Sequence, residues 1–207
     1  MTHRMNQNPS NRSDPEAAAV EERGRVRAAA AADPPERDRI ATAYLGQWGT
    51  PGTQQRARAR VDWMAASVQG PRVLDIGCSK GVLALLLARA GYRVLGIDIE
   101  PAAIAAARDL LGAEAAPVRA RVELRVADAL SAELDEDGFD TVVLGEVIEH
   151  PDQPSKMLAR AADLLKPWGR LVLTTPFGYF PRRAPTAPGD GVLFVLHANP
   201  FGERAAL

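Results

Sequence analysis

Three side chains that could bind a metal ion or move a proton lie close together at residues 146–150. Glu146, Glu149 and His150 are spaced i, i+3 and i+4, so on a helical turn they would share one face. Two carboxylates and an imidazole can hold a divalent cation, and a metal-bound hydroxyl group loses its proton more easily. His150 could instead act as a general base without a metal. The spacing leaves both chemistries open, together with a hydrogen-bonded turn that holds no metal.

A second group of candidate residues surrounds a glycine turn. The apolar run at residues 73–76 is typical of a central parallel strand, and Gly77 and Gly81 bracket the turn that follows it. Glycine permits unusual backbone dihedral angles and close approach of a ligand, and the next helix directs its free N–H groups at the turn. Asp98 ends the following strand about 20 residues later, where a carboxylate meets ribose hydroxyl groups. The stretch therefore predicts a nucleotide-type ligand site.

The residues between the two glycines bear on which nucleotide is bound. A dinucleotide site requires a second glycine that lets the backbone approach the pyrophosphate, and Ser79 stands at that position. Asp75 is unfavourable beside a pyrophosphate but suits a ligand that carries an ammonium group. S-adenosylmethionine has an ammonium group, a sulfonium and a ribose, and no phosphate. A nicotinamide-dependent oxidoreductase is therefore disfavoured.

Residues 73–81 resemble the first motif of the class I S-adenosylmethionine-dependent methyltransferases, although Ser79 and Lys80 differ from its commoner glycine-rich form. The resemblance extends over about residues 60–176. It implies that Asp98 binds the ribose hydroxyl groups and that Asp128 lies near the adenine amino group. The cofactor-binding residues that it implies in the core are Asp75, Gly77, Cys78, Ser79, Gly81, Asp98, Ile99, Asp128, Ala129 and Gly145.

Two further stretches resemble narrower groups of methyltransferases. Residues 60–64 are similar to the leading helix of quinone-type O-methyltransferases, which implies that Arg60 reaches the cofactor carboxylate. The Glu-x-x-Glu-His stretch resembles O-methyltransferases of quinone biosynthesis and small-RNA 2′-O-methyltransferases. Both groups are associated with a Mg²⁺-type metal, so Glu146, Glu149 and His150 are the implied ligands, with His150 and Glu149 as catalytic residues.

The elements that must position these residues alternate along the chain. Apolar runs predict strands at residues 73–76, 93–97, 122–126, 141–144 and 171–174. Helices are predicted at residues 81–90, 101–111 and 155–165, the last with Ser155 as its capping residue. Alternating strands and helices imply an α/β fold, a Rossmann-like doubly wound sheet that is mostly parallel with helices on both faces. Ligands bind at the carboxyl ends of the strands in such sheets.

Four regions are expected along the chain. Residues 1–39 contain no aromatic residue and are predicted to be a disordered tail. Residues 40–70 are a helical lead segment, and residues 71–176 are the cofactor-binding core. Residues 177–207 form a short tail in which residues 192–196 are expected to be a further strand. Because class I methyltransferases usually end with another helix and an antiparallel strand pair, this tail is expected to be truncated or divergent.

Composition restricts the partners that the chain can have. The 207 residues carry a formal net charge of −1, which gives no large basic field for nucleic acid, although RNA held by a local patch stays open. Cys78 is the single cysteine, which fits a reducing compartment and a small buried side chain. No apolar run reaches the roughly 18 residues of a membrane span. We therefore expect a cytoplasmic protein without a membrane partner.

The sequence as a whole predicts an enzyme. The resemblance implies an S-adenosyl-L-methionine-dependent methyltransferase that methylates oxygen on a small molecule, with Mg²⁺ as a further candidate cofactor. An RNA 2′-O-methyltransferase is the alternative enzyme, and a non-catalytic cofactor-binding or scaffold module is the alternative outside enzymes. The sequence makes no prediction of the methyl acceptor's identity or of the oligomeric state.

Overall fold

A computed structural model describes residues 39–134, 137–176 and 191–197, the last range by its backbone alone. All of these residues belong to one compact unit, Pro34–Leu207. The predicted disordered tail at residues 1–39, apart from its last residue, and most of the predicted tail at residues 177–207 lie outside the described residues. None of the helices described is both long enough and apolar enough to span a membrane.

Six strands form one sheet in the order β3-β2-β1-β4-β5-β6. The first five strands are parallel, and β6 is antiparallel to β5. This confirms the predicted mostly parallel sheet, and β6 contains the strand expected at residues 192–196. Chain order reverses between β1 and β4, which is the switch point where such sheets bind ligands. The strands are β1 Arg72–Ile76, β2 Arg93–Asp98, β3 Val122–Val126, β4 Phe139–Gly145, β5 Leu165–Pro176 and β6 Gly191–His197.

The described helices precede the sheet or connect its strands. They are α1 Arg39–Tyr44, α2 Pro51–Ser67, α3 Val82–Arg89, α4 Pro101–Gly112, α5 Ala116–Arg119 and α6 Pro154–Asp163. The first two lie within the predicted lead segment, and the short α5 was not predicted. The prediction that Ser155 caps α6 is wrong, because the helix begins at Pro154 and Gln153 occupies the cap position. Proline has a fixed φ that suits the first helical position, which explains the earlier start.

The core has a layer on each face of the sheet because alternate strand residues point to opposite sides. On one face, Val61 and Met64 of α2 and the apolar side of α3 pack against alternate strand residues such as Val73 and Val143. On the other face, Met157 of α6 packs in a cluster with Leu74. Helix α2, here called the lead helix, and α6 therefore hold the central strands from opposite sides and fix the position of their carboxyl ends.

The connection from β3 to β4, residues 127–138, contains no helix in its described part. On β3, Leu124 is buried in a cluster with Ile104 and Ala107 of α4. Glu123 and Arg125 point to the opposite face and are exposed. One face of the sheet at its β3 edge is therefore left uncovered by the described residues.

Candidate functional site

The turn after β1 is held against the ends of two other strands. The amides of Gly77 and Cys78 both donate to the carbonyl oxygen of Ile97 on β2, at 2.8 and 3.0 Å. Gly77 has φ +70°, and a Cβ there would lie 2.4 Å from Cγ2 of Val147, just after β4. Glycine is therefore required both by the backbone conformation and by the close approach of Val147.

Asp98 lies between this turn and the start of α4. Its Oδ2 accepts the N–H of Ser79 at 2.8 Å, and its Oδ1 accepts the N–H of Glu100 at 2.9 Å. The residue is only 8% exposed, so these two bonds hold the carboxylate in one orientation. Each oxygen of a carboxylate has more than one acceptor position, so Asp98 can still receive hydroxyl groups from a ligand.

Asp75 is a buried acid on β1 with an incomplete set of hydrogen bonds. Its Oδ2 has no partner among the described residues. Burial, and secondly the negative charge of Asp98, raise the pKa of Asp75 from its usual 3.8 to about 7. A buried carboxyl group in this state gains most from a nearby cation, which would favour its ionised form.

A cavity of about 540 Å³ opens at the carboxyl ends of the central strands. This volume is within the usual range for small-molecule sites. Its wall contains five of the predicted cofactor-binding residues and two of the three candidates from residues 146–150. Those predicted residues are Gly77, Asp98, Ile99, Asp128, Ala129, Glu146 and His150.

The other predicted cofactor-binding residues of the core lie outside this wall. Besides Asp75, they are Cys78, Ser79, Gly81 and Gly145. Two of them have packing roles, because a Cβ at Gly81 would lie 2.9 Å from Cβ of Ala107, and one at Gly145 would lie 2.9 Å from Sδ of Met64. Burial, and then the charges of Asp75 and Asp98, raise the pKa of the Cys78 thiol far above its ordinary value. The side chain is buried, as the sequence predicted for a small buried cysteine.

Glu146, Glu149 and His150 do not converge. Oε1 of Glu146 lies 2.6 Å from Nη1 of Arg60, and Oε2 of Glu149 accepts the hydroxyl of Thr175 at 3.3 Å. His150 is on the cavity wall. Nowhere in the described part of the chain do three Asp, Glu, His or Cys side chains gather closely enough to hold a metal ion. The predicted Mg²⁺ ligand set does not fit this arrangement.

The local backbone explains why these three side chains separate. The i, i+4 spacing puts residues on one face only in a helix, whereas residues 146–150 form a turn in which the N–H of His150 donates to the carbonyl oxygen of Val147. Glu146 has φ +58°, an uncommon conformation for a residue with a side chain. The turn therefore directs Glu146 towards the lead helix.

Arg60 and Glu146 join the lead helix to the end of β4. Both side chains are 13% exposed, so the ion pair is largely removed from water. Burial raises the pKa of Glu146 above its ordinary value, and Glu149 adds to this effect, while Arg60 opposes it. Arg60 was predicted to reach the cofactor carboxylate, and the structure places it on Glu146.

Sequence reasoning missed several residues of the site. Leu130 and Val147 line the cavity, and Leu130 joins Ile99 as an exposed apolar side chain at its wall. Nζ of Lys80 donates to Oγ1 of Thr42 at 3.1 Å, which connects the glycine turn to α1. Leu130 follows the predicted Ala129 directly, and that adjacency was the only signal for it. The contact of Lys80 had no signal, because it joins residues far apart in the chain.

Comparison with known proteins identifies the domain. Residues 74–173 match the family described as a methyltransferase domain. The chain is 36% identical over 146 residues to the ubiquinone biosynthesis O-methyltransferase of Xylella fastidiosa (strain M23), which covers 68% of this chain and 58% of that protein. The chain carries a class I S-adenosylmethionine-dependent methyltransferase domain. The enzyme of the same name from Xanthomonas oryzae pv. oryzae (strain PXO99A) is 35% identical over 147 residues, covering 68% and 60% of the two chains.

Solved structures of similar shape support the fold of the methyltransferase domain. The [4+2]-cyclase SpnF matches with a TM-score of 0.57 and 27% identity, over 66% of this chain and 51% of that chain. The glycopeptide N-methyltransferase MtfA, complexed with S-adenosyl-L-methionine, matches with a TM-score of 0.53 and 23% identity, over 58% and 50%. One neighbour is named a cyclase and another an N-methyltransferase, so the fold alone does not specify the reaction. This chain spans about 60% of the length of its curated relatives.

Proposed function

We propose that this methyltransferase domain binds S-adenosyl-L-methionine in the cavity at the carboxyl ends of the strands and transfers its methyl group to an oxygen atom of a small molecule. The observation that carries the proposal is the Asp98 carboxylate, which two backbone amides hold at the cavity wall. The curated relatives, which are named O-methyltransferases, support oxygen as the acceptor. A cytoplasmic location stays a prediction of the sequence.

The residues present suit each part of this cofactor. The remaining acceptor positions of Asp98 suit the two ribose hydroxyl groups. Ile99 and Leu130 offer apolar surface to a flat base, since they are 67% and 42% exposed at the same cavity. Asp128 already accepts the N–H of Leu130 at 2.9 Å, which orients its carboxylate for the adenine amino group. Asp75, just before the cavity residues Ile76 and Gly77, suits the ammonium group.

We assign to His150 the role of the base that acts on the methyl acceptor. When bound, the cofactor supplies an electrophilic methyl group on a sulfonium that leaves as a neutral thioether. His150 lies on the cavity wall and is exposed, so its imidazole can take the proton from an acceptor hydroxyl group. At the same wall, Arg60 of α2 forms an ion pair with Glu146. We therefore assign Glu146 a structural role, which is to hold α2 at the end of β4. The reaction proposed from this geometry uses His150 as its base.

Replacing Asp98 by alanine tests cofactor binding at this site. The loss of hydrogen bonds to a buried diol should weaken the binding of S-adenosylhomocysteine by on the order of 1.5–3 kcal/mol. Calorimetric titration of the wild-type protein and of Asp98→Ala measures this directly. Asp109→Ala removes the same charge from an exposed position on α4 and serves as the control. Unchanged affinity in a folded Asp98→Ala variant would remove Asp98 from the site, and no binding by the wild-type protein would overturn the proposed function.

A further inference from the structure

Three arginines lie side by side at the amino ends of neighbouring strands. Arg72 of β1 is in register with Arg93 of β2. The N–H of Val94 donates to the carbonyl oxygen of Arg121 at 2.8 Å, so Arg121, directly before β3, is level with Arg93. Residues at the same level of neighbouring parallel strands point to the same face. The arginine row is therefore a line of three like charges across three strands, at the end opposite to the proposed cofactor site.

The arginine row faces a second cavity. This cavity has a volume of about 400 Å³, and Arg72, Arg93, Arg121, Arg125, Glu123 and Leu95 contribute to its wall. It lies on the face of β3 that the described part of the β3–β4 connection leaves uncovered. A ligand could reach it from solvent without moving any described helix.

Arginines outnumber carboxylates among the described residues that line this second cavity. Nε of Arg125 lies 2.6 Å from Oε1 of Glu123. Nη1 of Arg72 lies 3.9 Å from Oδ2 of Asp137, whose side chain is 86% exposed. Arg121 donates to the carbonyl oxygen of Pro117 and forms no ion pair within the described part of the chain. Arg93 is exposed, and its side chain contacts no hydrogen-bonding or charged partner among the residues described. The described wall of this cavity thus contains four arginines and one glutamate.

We propose that the arginine row binds a small molecule that carries two or more linked phosphate groups. Like charges directly opposite one another on a sheet repel, and a bound anion would relieve that repulsion. Guanidinium groups match phosphate oxygens with pairs of hydrogen bonds, which makes arginine the preferred side chain for phosphate recognition. Neighbouring strands are about 4.8 Å apart, so the row spans about 10 Å. A diphosphate or triphosphate extends over more of this length than one phosphate group does, so it can form hydrogen bonds with all three arginines while their side chains stay apart.

Calorimetric titration with inorganic tripolyphosphate tests the proposal, in buffer free of phosphate and sulfate at constant ionic strength. The wild-type protein should bind tripolyphosphate at least tenfold more tightly than orthophosphate. Arg93→Ala, which removes an exposed side chain, should weaken tripolyphosphate binding at least tenfold. Arg125→Ala should weaken it at least threefold and supplies a second variant if the first is unstable. Lys156→Ala removes an exposed positive charge from α6 and should leave the affinity unchanged.

Three results would overturn this site. The first is the absence of tripolyphosphate binding to the wild-type protein. The second is equal binding by the wild-type protein and both arginine variants. The third is binding of a single-stranded RNA oligonucleotide without binding of tripolyphosphate, which would make the surface a nucleic-acid contact. Because S-adenosylhomocysteine binding does not involve the arginine row, its titration separates failure of this proposal from failure of the proposed function.

Discussion

Replacing His150 by alanine is expected to lower the rate of methyl transfer by about two to four orders of magnitude, the usual contribution of a general base. His150 lies on the cavity wall, but none of the cofactor's polar groups is assigned to it. The affinity for S-adenosylhomocysteine should therefore stay close to that of the wild-type protein. Single-turnover measurement of methyl transfer, combined with titration of S-adenosylhomocysteine, separates the two effects. Asp152→Ala changes an exposed residue nearby and is the matched control.

Addition of a chelator distinguishes two roles of His150, a general base and a ligand of a metal ion. Glu146 is paired with Arg60 and Glu149 accepts a hydrogen bond from Thr175, so we expect EDTA to leave the activity of the wild-type protein unchanged. Loss of activity with EDTA and its return with Mg²⁺ would mean that the three side chains converge in the working complex. Full activity of His150→Ala would contradict its assignment as the base. Loss of both activity and stability in that variant would assign His150 a structural role.

Replacing Asp75 by asparagine is expected to stabilise the free protein and to weaken cofactor binding. The folded state raises the pKa of Asp75 to about 7, above the value of 3.8 expected in the unfolded chain. The folded state therefore favours the protonated form, and the stability linked to that proton is lost as the pH rises through about 7. At pH 8 the variant should be more stable than the wild-type protein by up to about 4 kcal/mol, because three pKa units correspond to roughly that energy. The difference should shrink as the pH falls towards 5.

The same substitution, Asp75→Asn, should weaken cofactor binding although it stabilises the free protein. Removing one partner of a buried charge pair costs about 2–5 kcal/mol, so Asp75→Asn should bind S-adenosylhomocysteine roughly 30-fold to several thousand-fold more weakly. Affinity of the wild-type protein should also fall between pH 8 and pH 6, since the ammonium group requires ionised Asp75. Melting curves and titrations over this pH range measure both effects, with Asp109→Asn as an exposed control. A stabilised variant with unchanged affinity would show that Asp75 does not contact the ammonium group.

The glycine turn and the sheet could be predicted because their signals are local. A buried apolar run, two glycines and a helix follow one another within about twenty residues, and the structure shows β1, the turn and α3 there. The mostly parallel arrangement of the strands was predictable from their alternation with helices, because parallel strands need crossover connections. The observed bounds of the elements differ from the predicted ones mainly at strand ends, because pairing with neighbouring strands extends a strand beyond its apolar run.

The arrangement of residues 146–150 could not be predicted in the same way. Their spacing suggested one helical face, but the positive φ of Glu146 and the turn at His150 are not visible in residue types. The partner of Glu146 is Arg60, which lies on another element, so the pair depends on how α2 packs on the sheet. The arginine row likewise depends on strand register. The sequence shows which side chains could take part in binding or catalysis. The pairing of residues far apart in the chain can be seen only in the folded structure.

Transfer of a labelled methyl group is the measurement that tests the proposed function most directly. Purified protein is incubated with S-adenosyl-L-methionine labelled on its methyl group and with hydroxylated aromatic acceptors, each matched by an amine of the same shape. We expect the label to appear as a methyl ether on the hydroxylated acceptor, with one S-adenosylhomocysteine formed for each methyl group transferred, and His150→Ala to form almost none. Binding of S-adenosylhomocysteine without transfer of label to any hydroxyl group, or transfer to the amines alone, would contradict methyl transfer to oxygen.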